Sequence, residues 1–384
     1  MLVYIPTFFI AFLCTWYATN FKEKYNISKK NTDLAGFFIL ISVIFIVLTF
    51  VSATRYGIGM DYLYTDNRVL NVMREGIDIS FNEKIVTLFA KGIINSGMPN
   101  YVFFLTFSII TNLSYIIAIF INKNNNYFIS IFIYLFYYIY FNSFNQTRGS
   151  TAIALGILGF SIVYNFKSNV AILFGYNFCI LGALLHYSEI INVVILTLFI
   201  LIRHFSNKIN TKKLLSIGFI LIAISPVLFI ILKYTISYIP IINKYAYYFN
   251  PNYDQSSTPL WKFLGSFFTF IVPFVSLVFY LFNFTKEDDY FLKFTSALLV
   301  INMIFLTIAL LTNSILLADR LKSMFYAFDL FTIPYMYSKM KDDNQKCIYI
   351  GLIGLIMIAV TLSTLIPSNT YPYRSIFFKD MYIY

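Results

Sequence analysis

Four stretches of this sequence set polar residues at the ends of apolar runs, and these are the places where chemistry could reside. In RYGIGMDYLYTDNRV, residues 55–69, Arg55, Asp61 and Asp66 stand with Gly57 and Gly59 straight after the apolar run Leu34–Val51. The two glycines let the backbone turn sharply there. FNSFNQTRGSTAIAL places Asn145 and Arg148 on a bend, or in the first turn of the next helix. A guanidinium beside unpaired helix N–H groups is a planar fork suited to phosphate oxygens. LGALLHYSEII ends one run with His186 and begins the next with Glu189, neighbours if one helical turn is continuous. Imidazole titrates near neutrality, so a histidine oriented by a carboxylate has the makings of a general base. LLADRLKSMFYAFDLFTIPYM carries Arg320 and Lys322, with Asp329 about two turns deeper. Lys322 lies seven residues from Asp329, on roughly the same face, so a purely structural pairing there is as natural as a site. Any one of these stretches alone is also explained by a side chain that snorkels to the headgroups.

The elements that must position these groups follow from composition. Of 384 residues, 59% are hydrophobic and only 12% charged, more apolar surface than a soluble core can bury. Crossing the hydrocarbon takes about 20 mostly apolar residues, and only helices or closed barrels satisfy their backbone there. Continuous apolar runs, rather than ten-residue alternations, predict an all-α polytopic membrane helix bundle. Spans are expected near 2–19, 34–54, 100–121, 127–143, 149–164, 170–186, 188–203, 214–236, 263–284, 291–312, 320–338 and 347–366, about twelve in all. Residues 84–97 are too short to cross and carry Lys91, which reads as an interfacial or re-entrant helix; were they to cross, every later assignment of sides would invert. No hydrophilic stretch is long enough for a soluble domain, so 1–384 reads as a single integral membrane domain with long loops near 55–99 and 237–262. The first run lacks a basic start and a small-residue cleavage site, and is expected to be a retained span.

Basic residues fix the expected sides. FKEKYNISKKNTD, NKNNN, NFKSN, RHFSNKINTKK, NFTKEDDYFLK and SKMKDDNQK alternate with the other loops and hold about fifteen Lys or Arg. They are assigned to the cytoplasm, which puts all four polar stretches and both termini outside. The net charge of +11 is then a topology and lipid-surface signal, and no nucleic-acid partner is indicated. Cys14, Cys179 and Cys347 have no paired spacing and no neighbouring histidine in a ligand pattern. P-loop, His-Glu-x-x-His and Gly-x-Ser-x-Gly motifs are missing, as is an Asp-x-Asp pair in the outer loops, so no metal and no cofactor are expected. Arginine or histidine at several span ends on one face suits a large anionic, lipid-linked substrate, in a metal-free transfer or in transport.

The order of RYGIGMDYLYTDNRV, NQTRGSTAIAL, ALLHYSEII and a PYRSIF tail resembles the EpsG family of Wzy-like polysaccharide polymerases over most of the chain. The resemblance implies a bundle similar to the C-type membrane glycosyltransferases. It also implies polymerisation of oligosaccharide repeat units, carried on undecaprenyl pyrophosphate, at the outer face of the bacterial cytoplasmic membrane. Arg55, Gly59, Asp61, Arg148 and His186 are the positions carried over. The chain departs from the family pattern where Gly149 follows Arg148 and where Glu189 follows the His-x-Ser pattern. The expected site therefore has His186, oriented by Glu189, as base with Asp61 as competitor, and Arg55, Gly59, Asn145, Arg148, Arg320 and Lys322 holding substrate. The lipid bilayer and a chain-length regulator are the further partners implied. Rival readings are a flippase for lipid-linked oligosaccharide, a membrane glycan ligase and an acyltransferase.

Overall fold

A peptide N–H in hydrocarbon finds no water, so the apolar runs satisfy their backbones internally as helices. The computed structural model describes residues 2–122, 126–235, 260–312, 325–365 and 369–383. Arg320, Lys322 and most of the loop near 237–262 lie outside the described residues, as does the side chain of Asp61. Eight of the described helices are long and apolar enough to cross a membrane. The other expected spans fall on Tyr4–Ser28, Asn169–Leu185, Leu260–Asn283 and Asp329–Lys339. The protein is a polytopic helical membrane protein.

The chain divides into two compact units, Met1–Leu196 with Leu365–Tyr384, and Thr197–Thr364. In the first, α1 (Tyr4–Ser28) and α2 (Asn31–Ala53) form a hairpin. The short α3 (Met60–Leu63), a π-helix (Tyr64–Leu70), α4 (Asn71–Arg74) and α5 (Lys84–Asn95) follow. Then come α6 (Tyr101–Ile121), α7 (Tyr127–Phe136), α8 (Ile139–Asn145), α9 (Thr147–Asn165), α10 (Asn169–Leu185) and the first residues of α11 (Ile191–His204), whose remainder belongs to the second unit. At twelve residues α5 is about 18 Å long, short of a crossing, as its sequence suggests.

The core of this unit is α9, whose candidate span is 89% buried between α6 and α10. Small residues permit that: a Cβ on Gly159 would press into the carbonyl oxygen of Gly175 on α10. Polar side chains tie the helices together. Thr111 and Thr151 share a hydrogen bond at 2.6 Å, Tyr134 donates to Asn112 Oδ1 at 2.8 Å, and Asn112 donates to Ser52 Oγ at 3.0 Å. Helix α2 runs from the expected loop after α1 to the RYGIGMDYLYTDNRV stretch. At its start, Lys22 stands 4.5 Å over the Phe37 ring, which packs on Phe120 of α6, and α1 runs on through Lys22 and Lys24 where a loop is expected. Residues 127–143, expected as one span, are interrupted at Tyr138, whose φ is 65°.

The second unit contains α12 (Thr211–Thr235) and the helices Leu260–Asn283, Tyr290–Thr312, Asp329–Lys339 and Asp343–Leu365. Its charged groups pair near one helix start: buried Lys293 donates to Asp288 and to the Ser206 carbonyl, and Tyr335 donates to Asp289 Oδ2 at 2.7 Å. Asp329 is buried, accepts from Thr332 at 2.9 Å, and leaves Oδ2 without a partner among the described residues.

Candidate active site

The site assembles at the Arg55 end of the first unit. After α2 the chain turns through Gly57 and Gly59, both at positive φ (61° and 86°). Gly59 has a second constraint, since a Cβ there would collide with the carbonyl oxygen of Phe144 at the end of α8. The C-terminal tail closes the turn. Tyr56 N donates to Arg374 O at 2.9 Å, Gly59 N to Asn369 O at 2.9 Å, and Ile376 N to Thr54 O at 2.8 Å. Tyr373–Ser375 pairs antiparallel with Phe378–Ile383 in a small hairpin, and Ser375 also bridges to Arg55.

Arg55 itself is wholly buried, 0% exposed. Its Nη1 donates to the Ser52 carbonyl and to Ser108 Oγ at 3.1 Å, and its Nη2 to Ser143 O at 3.4 Å and Thr147 Oγ1 at 3.1 Å. The guanidinium also lies 4.9 Å from the Phe144 ring centre. One side chain thus ties α2, α6, α8 and α9 without a carboxylate among these contacts. Burial pulls its pKa down to about 10, against a smaller opposing effect of nearby tyrosines, which leaves it cationic at neutral pH.

Arg148 is placed differently. It sits in the first turn of α9, partly exposed, with its guanidinium 4.9 Å from the Phe81 ring centre and Nη1 donating to Glu83 Oε2. The other oxygen of that carboxylate, Oε1, is 3.1 Å from His186 Nδ1. Glu83 is buried at the N-terminal boundary of α5, so one carboxylate joins the guanidinium to the imidazole. Burial pushes the Glu83 carboxyl up, but the His186 hydrogen bond and the Arg148 charge outweigh it and hold the group below its ordinary value. Among the described residues His186 Nε2 has no hydrogen-bond partner, and Arg148 makes no side-chain hydrogen bond except that to Glu83. The imidazole packs beside Gly149, where a Cβ would stand 3.5 Å from its Cδ2.

The structure therefore brings Arg148 and His186 together through Glu83, a residue not among those expected. Glu189, expected to orient His186, donates its backbone N–H to His186 O at 2.9 Å, but among the described residues its carboxylate makes no hydrogen bond to the imidazole. Helix α10 ends at His186, whose backbone is extended (φ −154°, ψ 108°), and a single 3₁₀ turn, Tyr187–Ile190, follows. The i to i+3 neighbour relation requires a continuous helix, so Glu189 instead turns inward and accepts from Asn192 at 3.1 Å. Asn145 donates to the Tyr138 hydroxyl at 2.6 Å and lies against Gly59. The backbone of Asp61 lies in α3.

A histidine held by a buried carboxylate, with an open Nε2 and a guanidinium alongside, has the parts of an acid–base site that handles an anion. Fold and site together define a multi-pass membrane protein with an enzyme-like polar centre at one end of a helix unit. The chain belongs to the EpsG family: that family's model matches residues 38–375, nearly the whole length. EpsG family members are Wzy-like polysaccharide polymerases, which makes this a membrane protein of polysaccharide biosynthesis, of the polymerase or glycosyltransferase type. No curated protein and no solved structure matches the chain.

Proposed function

We propose that the protein joins oligosaccharide repeat units, carried on undecaprenyl pyrophosphate, into a surface polysaccharide at the outer face of the bacterial cytoplasmic membrane. The observation that carries this reading is the Glu83–His186 pair with Arg148 on the same carboxylate. A sugar hydroxyl of one unit attacks the anomeric carbon of the glycan on another. The bond from that carbon to the pyrophosphate oxygen breaks, and its electron pair leaves on the pyrophosphate. His186 Nε2 takes the hydroxyl proton, and Glu83 at Nδ1 fixes the tautomer and stabilises the imidazolium, as the carboxylate does in a Ser-His-Asp triad. Arg148, through the N–H groups it does not give to Glu83, stabilises the charge arriving on the pyrophosphate. Arg320 and Lys322 are proposed to extend that clamp. Asp61 is the competing base. Positive-inside counting supports the outer location, and a chain-length regulator is the partner such an activity calls for.

The test is the glycan of a strain whose own gene is deleted, complemented with His186→Ala. Single repeat units on the lipid acceptor are expected. Full-length polymer from that variant would remove His186 as the base. A deletion strain lacking any extracytoplasmic unit would indicate a flippase, and polymer stranded on undecaprenyl a ligase.

A further inference from the structure

A second feature of the same end is a cavity of about 560 Å³, within the size range of small-ligand sites. Tyr56, Tyr62, Asp66, Arg74, Asn100 and Tyr101 line it, with Ile376 and Phe377 of the C-terminal hairpin at its edge. The π-helix contributes the carboxylate of that lining, Asp66. In an α-helix, residues five apart point about 140° away from each other. The wider winding of Tyr64–Leu70, with Asn71 N–H bonded to Asp66 O, brings positions 66 and 71 back toward one face. Asn100 Nδ2 reaches both, donating to Asp66 Oδ1 at 2.8 Å and to Asn71 Oδ1 at 2.6 Å. Arg74 in turn donates to Asn100 Oδ1 at 2.7 Å and to the Met98 carbonyl.

We propose that this cavity binds a sugar ring of the acceptor repeat unit, which rests on the polymerase reading above. Asp66 offers an oxygen unused among the described residues, held by a rigid amide network, to accept from sugar hydroxyls. Tyr101 offers a ring face for the apolar C–H face of a pyranose. One carboxylate and one guanidinium make the lining close to neutral, and Arg74 is already committed to two acceptors. That suits an uncharged polyol better than a pyrophosphate. The cavity is also linked to the proposed reaction centre. Tyr62 stacks on Phe104 at 4.0 Å, Phe104 meets Phe103 edge-on at 5.6 Å, Phe103 stacks on Phe81 at 5.7 Å, and Phe81 underlies Arg148. A continuous row of rings thus runs from the sugar cavity to the clamp.

The experiment uses the full-length protein in lipid nanodiscs and the repeat-unit oligosaccharide released by mild acid from its carrier, read by saturation-transfer NMR. Saturation transfer from the wild-type protein to the oligosaccharide is expected, and Asp66→Ala should weaken binding by about tenfold, a lost hydrogen bond to a charged group. Tyr101→Ala should weaken it about fivefold, and Tyr101→Phe, which keeps the ring, should stay within about twofold of wild type. With lipid-linked substrate, Asp66→Ala should raise KM by a similar factor and leave kcat within about threefold. Absence of saturation transfer from the wild-type protein, or wild-type binding by both Asp66→Ala and Tyr101→Ala in folded protein, overturns the proposal. Polymer made by His186→Ala would instead count against the reaction mechanism and leave the binding result standing.

Discussion

Arg55 and Arg148 each belong to a polar stretch at the end of an apolar run, yet the fold uses them in opposite ways. Arg55 is sealed in, its hydrogen bonds going to hydroxyls and carbonyls on four helices. Arg148 keeps an edge open and shares a buried carboxylate with a histidine. A guanidinium whose described partners are hydroxyls and carbonyls on four helices is a brace: it holds helices in place, and only its Nε is left without a hydrogen bond among the described residues. A guanidinium tied at one corner is oriented, with donors still available. Exposure and the identity of the partner, rather than charge or position in the sequence, separate the two roles.

The widest gap between the two arginines should appear in turnover. Arg148→Ala is expected to lower polymerisation by about 10²–10³-fold, the scale of losing one donor to a developing anion. Its melting temperature on detergent-purified protein should fall by less than that of Arg55→Ala, because buried Glu83 loses one partner and keeps His186. Arg148→Lys should also be impaired, because an ammonium cannot reproduce a fork. Arg55→Ala should do the reverse and destabilise the fold by about 3–5 kcal/mol, the cost of stripping a buried polar network. Its signature is a loss of folded yield with turnover per folded molecule retained. A well-folded but inactive Arg55→Ala protein would erase the distinction between brace and clamp.

Double-mutant cycles sharpen the comparison further. Glu83→Gln with Arg148→Lys should show a coupling of about 1–3 kcal/mol, whereas Arg55→Lys with Arg148→Lys should add within about 0.5 kcal/mol. The smallest effect is on acid stability. Glu83 is held below its ordinary value, so the stability it contributes is present above the unfolded carboxyl range and lost as pH falls through the depressed value. Melting curves taken from pH 7 downward should show an acid limb that Glu83→Gln flattens. An unchanged limb would mean that the carboxylate is not tied to Arg148 and His186 in solution.

Much of this architecture can be read from the chain, because a membrane leaves the backbone little choice. Long apolar runs mark the helices, and the short, lysine-bearing 84–95 segment marks itself as something else. Arg148 and His186 are legible as well, since a charge or an imidazole at the end of an apolar run is conspicuous. Glu83 is not. It lies 65 residues from Arg148 and 103 from His186, in a loop that also holds Asp61, Asp66, Glu75 and Asp78, with no local pattern to single it out. Glu189 misleads for a related reason. Its spacing from His186 implies contact only on an unbroken helix, and the extended backbone at His186 removes that condition. The π-helix is equally hidden, because what it achieves is a meeting with Asn100, far along the chain.

The hydrogen bonds between residues 54–59 and 369–376 carry a consequence for biosynthesis. The turn after α2 enters the membrane early, while the segment that completes its edge is made more than 300 residues later. Until then the backbone groups of Tyr56 and Gly59 lack their final partners, and the cradle around Arg55 is unfinished. The ribosome must therefore thread almost the entire protein before the mouth of the site can set. A stop codon shortly after residue 365 would leave nearly every helix inserted and the turn at 54–59 without its partners.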